Sequence, residues 1–283
     1  MGTRAVLVTG ASTGIGRSCT LRLDRRGWRV FAGVRKQSDA HSLTSEGSGS
    51  LAPISLDVAE PATIEATAKR LQEELGDSGL QGLVNNAGIS VQGPLEYLQL
   101  DEFRRQLEVN VTGQLAVTQA MLPLIRAGRG RIVMMSSIAG RTMPVPLLAP
   151  YGASKMALEA VGGALRYELM PEGIGVVLIE PGSIDTPIWT KGDATVDPIL
   201  EALPPDGRQR YLTMLQRARR LGAQQGRRGL PAERVAEAVE RALTSPRPKL
   251  RYLVGVDARL RAWAEPLLPQ SVKDLIVRRL FGM

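Results

Sequence analysis

Thr9-Gly10-Ala11-Ser12-Thr13-Gly14-Ile15-Gly16 follows the apolar run Ala5-Val6-Leu7-Val8 and precedes a helical pattern over residues 17–26. The run is apolar without alternation, so it reads as a strand buried on both faces. Gly10 allows a tight turn off that strand. Gly14 lets the backbone approach a pyrophosphate, and Gly16 lets the helix pack closely on the strand. The helix N-terminus adds free N–H groups and a positive dipole. Gly27 stops the helix, and residues 29–34 form a second strand. Strand, glycine turn, helix and strand within roughly 30 residues make a βαβ unit.

Outward from this unit the alternation continues. Residues 51–56 read as a strand ending at Asp57-Val58, and Pro61 opens a helix to about residue 75. Residues 80–84 form a strand ending in Asn85-Asn86-Ala87-Gly88. Asp101 is placed to cap one long helix over 101–126, stopped by Gly128 and Gly130. Residues 131–136, 149–170 and 174–179 read as strand, helix and strand, the last ending in Glu180-Pro181-Gly182. Such regular alternation predicts an α/β fold: a doubly wound parallel sheet of about seven strands with helices on both faces. The polar stretch 38–50 reads as a loop. Beyond Pro187 come a basic helical pattern over 209–221, a helix over 231–244, a strand at 251–254 and an amphipathic helix after Pro269. One domain over residues 1–283 is expected, with a core to 187, a lid over 188–230 and a tail over 231–283.

The net charge is +8, but it is unevenly placed. Residues 207–283 carry 17 Lys/Arg against 6 Asp/Glu, and residues 1–206 carry 19 against 22. The basic quarter has few aromatics on which bases could stack, so no nucleic acid is expected. It reads as a solvated face, with an anionic membrane or an acidic carrier as the other readings. The tail helix likewise reads as packing on the body or a neighbouring subunit, with peripheral membrane contact as the second reading. Cys19 is the only cysteine, which leaves no intrachain disulfide and no cysteine cluster for a metal. His41, the only histidine, lies in the polar stretch and is set aside as a catalytic base. No signal-peptide pattern opens the chain, and no apolar run approaches the roughly 20 residues of a spanning helix. A reducing compartment, the cytoplasm, is expected.

Tyr151 and Lys155 are four residues apart and share one face of a helix. Ser137 follows the run Ile132-Val133-Met134-Met135, which delivers a hydroxyl to a strand's carboxyl end. With a nucleotide between that strand and that helix, the three form a proton-transfer site.

The Gly-x3-Gly-x-Gly spacing, together with Asn85-Asn86-Ala87-Gly88, Tyr151-x3-Lys155 and Pro181-Gly182, resembles the short-chain dehydrogenase/reductase family, classical type. The resemblance covers residues 4 to about 187 and implies a Rossmann-type fold. The lid and tail look most like the retinol- and steroid-dehydrogenase branch. The resemblance makes Tyr151 the general acid/base, Lys155 the cation that lowers its pKa and holds the nicotinamide ribose, and Ser137 the anchor of the substrate oxygen. It makes Asn110 the residue holding a water that links the lysine to solvent. Ser137 lies 14 residues before Tyr151, one more than the family's commoner spacing, so Ser136 stays as the alternative hydroxyl.

For the cofactor, the resemblance assigns Gly10, Ser12, Thr13, Gly14, Ile15 and Gly16 to the phosphates and Asp57 and Val58 to the adenine. Asn86, Ala87 and Gly88 go to the ribose side, and Pro181, Gly182, Ile184 and Thr186 to the carboxamide end. Val34 stands where NAD-preferring relatives carry Asp, and Arg35 and Lys36 follow. A planar guanidinium suits a 2′-phosphate, so NADP(H) is favoured and NAD(H) is the alternative.

The substrate pocket is assigned to residues 90–95 and 143–148 and to Ile188, Trp189, Ile199, Leu200, Leu203, Tyr211 and Met214 of the lid. Trp189 has packing against the body as an equal reading. These side chains are bulky and apolar, with Lys191 as the exception. The expectation is therefore hydride transfer between NADP and a lipophilic alcohol or ketone, steroid-, retinoid- or lipid-like, in a homodimer or homotetramer. A 3-oxoacyl thioester reductase is the second enzyme reading, and a nucleotide-sensing regulator on the same fold is the reading from another class.

Overall fold

The computed structural model describes residues 3–187 and 194–283. Ile188, Trp189 and Lys191 of the expected lid lie outside the described residues. β1 (Ala5–Val8) is buried along its whole length. Its side chains alternate between two cores, as the period of two requires. Val6 and Val8 join one, and Ala5 and Leu7 the other. A continuous apolar run is what a central strand with both faces covered needs.

α1 (Gly14–Arg25), β2 (Arg29–Val34), α2 (Gln37–Glu46), β3 (Leu51–Ser55), α3 (Pro61–Leu75) and β4 (Gly82–Asn85) follow. α4 (Leu100–Leu107) runs through a π-helical turn at Glu108–Thr112 into α5 (Gly113–Ala127). β5 (Arg131–Met135), α6 (Ala149–Leu169) and β6 (Gly175–Pro181) complete the expected alternation. β7 (Ile184–Asp185) and β8 (Leu230–Pro231) pair as a short ribbon around α7 (Val196–Ala202) and α8 (Pro205–Arg228). α9 (Ala232–Thr244), β9 (Arg251–Val254), α10 (Val256–Ala264) and α11 (Gln270–Phe281) close the chain.

The main sheet has seven strands in the order β3-β2-β1-β4-β5-β6-β9, all parallel. The order reverses between β1 and β4. At such a switch point the loops leaving the two strands' carboxyl ends part and open a crevice. On one face α1 and α9 contribute Cys19, Leu23, Val235 and Val239 to the core. On the other, α3, α5 and α6 contribute Leu71, Met121 and Leu158. Cys19 is buried, and burial pushes its thiol up to about 12.

Two expectations are corrected. Residues 38–50 are not all loop, because α2 occupies Gln37–Glu46. Only Ala40 and Leu43 of that helix are buried, three residues apart on one face. Two apolar residues in ten leave a helix that looks polar in sequence. His41 is exposed on it, 3.1 Å from the Gln37 side-chain nitrogen one turn earlier. The helix expected over 101–126 starts at Leu100 after Gln99 and is broken by the π-turn. Asp101 sits in its first turn, paired with Arg104, rather than capping it. Among the described residues no helix is long and apolar enough to cross a membrane.

Candidate active site

The glycine turn is built as its spacing demands. Gly10 has φ +63° and Gly14 φ +54°, a region that side chains disfavour. A Cβ on Gly10 would stand 2.8 Å from the Ala87 Cα, so the turn after β1 lies directly on the loop after β4. A Cβ on Gly16 would collide with the Gly10 carbonyl and the Asn86 amide. Thr9 ties the two loops, its hydroxyl accepting from the Asn86 and Ala87 amides at 2.9 Å each. Asn86 returns its side-chain amide to the Thr9 and Gly10 carbonyls at 3.0 and 3.1 Å. Its side chain is thereby committed to holding the turn.

Thr13 is the N-cap of α1, yet its side chain makes no capping bond. The first amides of α1 therefore keep their capacity for an anion. Ser12 and Ile15 are half-buried beside them. Across the crevice Thr186 approaches Gly14: a Cβ there would be 3.3 Å from the Thr186 Cβ. A dinucleotide phosphate fits this cradle. At the carboxyl end of β2, Val34 is buried and Arg35 is exposed, its Nη1 3.6 Å from Asp57 Oδ2. Lys36 is exposed at the N-cap of α2. Asp57 also accepts from the Ala59 amide at 3.1 Å, and Val58 is buried in the core beneath it.

β5 and α6 bring the proton-transfer residues together. Ser137 lies just beyond β5, where its Oγ accepts from the Ala139 amide at 3.2 Å. It acts on Tyr151 in the sense that favours the phenolate. Ser136 Oγ is buried and has no hydrogen-bond partner among the described residues. Of the two serines, Ser137 is the one that acts on the Tyr151 phenol. Burial pushes the Tyr151 phenol above its ordinary value, against the action of Ser137. Lys155 is buried, with Nζ donating to the Met135 carbonyl at 2.7 Å and 5.7 Å from the Tyr151 ring centre. Burial holds its pKa down to about 8, while Glu159 acts to raise it. The depression expected for Tyr151 is thus not expressed in the chain alone. Its desolvation wins, and Lys155 is turned to the end of β5.

Asn110 sits on the π-turn and is fully buried. Its Oδ1 accepts from the Ile89 amide at 2.8 Å, and its Nδ2 donates to the Ile89 carbonyl at 3.1 Å and Ser154 Oγ at 3.0 Å. Ser154 Oγ in turn donates to the Tyr151 carbonyl at 2.7 Å. Gln106 repeats the pattern one turn earlier, accepting from the Val91 amide at 2.6 Å and donating to the Ile89 carbonyl at 2.9 Å. Asn110 and Gln106 thus fix the loop after β4 against the first turn of α6. Gly88 lies on Asn110, 3.3 Å from a would-be Cβ to Oδ1. Ser154 and Gln106 were not legible beforehand, since a serine inside a helix and a glutamine in a charged helix carry no motif.

The C-terminal quarter grips the loops at the other side. Asp257 Oδ2 accepts from the Ser183 amide at 2.7 Å, and a side chain on Gly182 would strike the Asp257 carboxylate. Arg261 donates to Thr142 Oγ1 at 2.7 Å, and buried Glu265 accepts from the Met143 amide. Pro181 and Ile184 are buried beside this clamp. The lid residues differ from their expected use. Leu203 and Leu215 are buried with Leu147 and Val196 in a separate small core, against which Ile199, Leu200, Tyr211 and Met214 pack. Tyr211 donates to Glu96 at 2.9 Å and stands edge-on to Tyr97. Much of the lid's apolar surface therefore holds the lid together and joins it to residues 94–97 and 147.

Comparison with known proteins agrees with this construction. A family described as short chain dehydrogenase matches residues 4–197. Retinol dehydrogenase 5 of Mus musculus is 35% identical over 96% of this chain and 87% of its own. An NADPH-dependent 3-dehydrocapnine reductase of Ornithobacterium rhinotracheale is 34% identical over 96% and 95%. A solved short chain dehydrogenase of Burkholderia cenocepacia in complex with NADP superposes with a TM-score of 0.71, at 25% identity over 94% of this chain and 95% of that one.

Proposed function

The chain belongs to the short chain dehydrogenase family, an oxidoreductase of CH–OH groups, and from that membership we propose that it moves a hydride between NADP and a lipophilic alcohol or ketone. The observation that carries the reading is the grouping of Ser137 just beyond β5 with Tyr151 and buried Lys155 on the first turns of α6, beside an uncapped glycine turn. Bound nicotinamide supplies the hydride in reduction and takes it up in oxidation. Tyr151 gives the phenolic proton to the carbonyl oxygen, or takes it from the alcohol. Ser137 accepts from Ala139 with one lone pair, and its one O–H turns from the phenol to the reacting oxygen when substrate binds. Lys155 contributes positive charge beneath the phenol and reaches the ribose side. Asn110 and Ser154 keep Tyr151 in register with the loop after β4.

Arg35 supports NADP over NAD: it is exposed at the end of β2, above a buried Val34 with no carboxylate at that position. NADPH is expected to bind at least tenfold more tightly than NADH, about 1.4 kcal/mol, and Arg35→Ser to erase the difference. Equal affinities in fluorescence titration of the wild-type protein would sink this assignment. Turnover of steroid, retinoid and acyl ketones, followed by NADPH absorbance, tests the substrate class. Faster turnover of carrier-bound 3-oxoacyl thioesters would replace the lipophilic reading by the acyl-reductase one. Met156 and Tyr167 stand exposed on α6, a face on which two copies would pair.

A second surface bears on how such a substrate arrives. Val256, Leu260 and Trp263 share one face of α10 and are 79%, 61% and 73% exposed. Asp257 and Arg261, off that face, hold Ser183 and Thr142. An anionic bilayer suits a bare apolar face in the basic quarter of the chain. A two-fold pairing of copies there would set like charges against each other. The protein is expected to sediment with phosphatidylglycerol-containing vesicles, and the double variant Leu260→Glu/Trp263→Glu to stay in the supernatant. Wild-type protein left in the supernatant would remove the reading.

A further inference from the structure

α6 carries a second buried ionisable side chain one turn beyond Lys155. Glu159 Oε1 has no hydrogen-bond partner among the described residues. Its Oε2 accepts from Arg251 Nε at 3.2 Å, and Arg251 comes from β9. The same Nε lies 2.9 Å from Glu180 Oε1 on β6, and Arg141 donates to Glu180 Oε2 at 3.2 Å. The Glu180 side chain is fully buried, and burial, followed by the charge of Glu159, pushes its carboxyl up. The turn after Ser137 rests on this step of α6: a Cβ on Gly140 would stand 2.9 Å from the Lys155 carbonyl and 3.0 Å from Glu159 Cγ.

The groups around Lys155 are few. From α6 Tyr151 lies beside it and Glu159 one turn further on, beyond ion-pair distance, and from β5 it meets the Met135 carbonyl. Glu159 pairs with Arg251 from β9, and its charge reaches Lys155 on its own helix and Glu180 on β6, while Arg141 is spent on Glu180. We propose that Glu159, buried one turn from Lys155 and held by Arg251, is a positioning residue: the counter-charge that keeps the Lys155 ammonium protonated in its dry site. This rests on the acid/base reading of Tyr151, because the charge on Lys155 matters to the reaction through the phenol it tunes. Physically, a buried ammonium with no anion nearby gives up its proton. The carbonyl of Met135 orients Nζ but supplies only a dipole. The carboxylate supplies the charge, and Arg251 fixes its place from the last strand of the sheet.

The chain has six lysines, so lysine labelled with 13C at Cε gives few resonances. Lys155→Met identifies the resonance of Lys155. In the wild-type protein it titrates near 8, as its pKa of about 8 requires. In Glu159→Gln the midpoint is expected to fall by about one pH unit. Glu159→Asp, one methylene shorter, is expected to fall between the two. In parallel, the rising limb of alcohol oxidation moves to higher pH, since a less charged Lys155 leaves the phenol less acidic. An unmoved Lys155 midpoint in folded Glu159→Gln overturns the proposal, even where turnover drops, because a packing role alone lowers turnover without moving the titration. Tyr151→Phe separates the two ideas. If it keeps turnover while the midpoint still moves, the acid/base reading falls and the counter-charge stands.

Discussion

Tyr151→Phe is expected to lower turnover by about 10³-fold while leaving NADPH affinity unchanged. The substitution removes one oxygen from a half-buried ring and keeps the packing of α6's first turn. Ser154 holds that turn through the Tyr151 backbone carbonyl, which the change leaves in place. What is lost is the phenolic proton that Tyr151 exchanges with the reacting oxygen. Steady-state rates with a lipophilic ketone, set beside a nucleotide titration, separate the two effects. Retained turnover would falsify the proton-transfer role, and lost nucleotide binding would show that the ring supports the crevice instead. The phenol's raised pKa gives the sign of the pH dependence. Alcohol oxidation needs the phenolate and rises with pH, whereas ketone reduction needs the protonated phenol and falls as pH passes its pKa.

Gly16→Ala is expected to destabilise the fold by about 3 kcal/mol and to abolish nucleotide binding, the upper end for forcing an atom into a packed site. The added carbon meets the Gly10 carbonyl and the Asn86 amide, and neither can yield cheaply. Gly10 is held at positive φ against Ala87, and Asn86 bonds both Thr9 and Gly10. The disturbance therefore spreads through the turn that cradles phosphate. Gly163→Ala is the control. It lies inside α6 with nothing near its added carbon, and removing a mid-helix glycine stabilises by about 0.5–1 kcal/mol. Thermal melts of the two variants should move in opposite directions. A Gly16→Ala protein with unchanged melting and NADPH affinity would contradict the close approach described for this turn.

The strands were readable because β1, β4 and β5 are buried on both faces and therefore spelled in unbroken apolar runs. α2 was not readable, since two buried side chains in ten leave no period above the polar background. Tyr151, Lys155 and Ser137 sit where the sequence placed them, because a four-residue step on a helix and the end of a strand are local facts. The supports of these residues are not local. Ser154 acts through contacts with Asn110 and Tyr151 that only the fold creates. Glu159 was visible as a charge four residues past Lys155, but its burial depends on β9, which arrives from the far end of the chain. The lid shows the opposite limit. Its apolar residues were visible, yet composition cannot distinguish a side chain that faces a substrate from one that completes a small core with Leu147.

β9 is the outermost strand next to β6, and it supplies Arg251 to two buried carboxylates. On the ribosome it emerges after every other strand of the main sheet. Until then β6 is a bare sheet edge, and a carboxylate destined for full burial has only Arg141 beside it. A nascent chain can therefore assemble its glycine turn and most of its sheet long before the lysine's surroundings exist. A message truncated ahead of residue 251 would yield a protein with an open strand edge, the kind that invites pairing between chains. For this fold the codons of β9 carry the quality control of the strands translated before it.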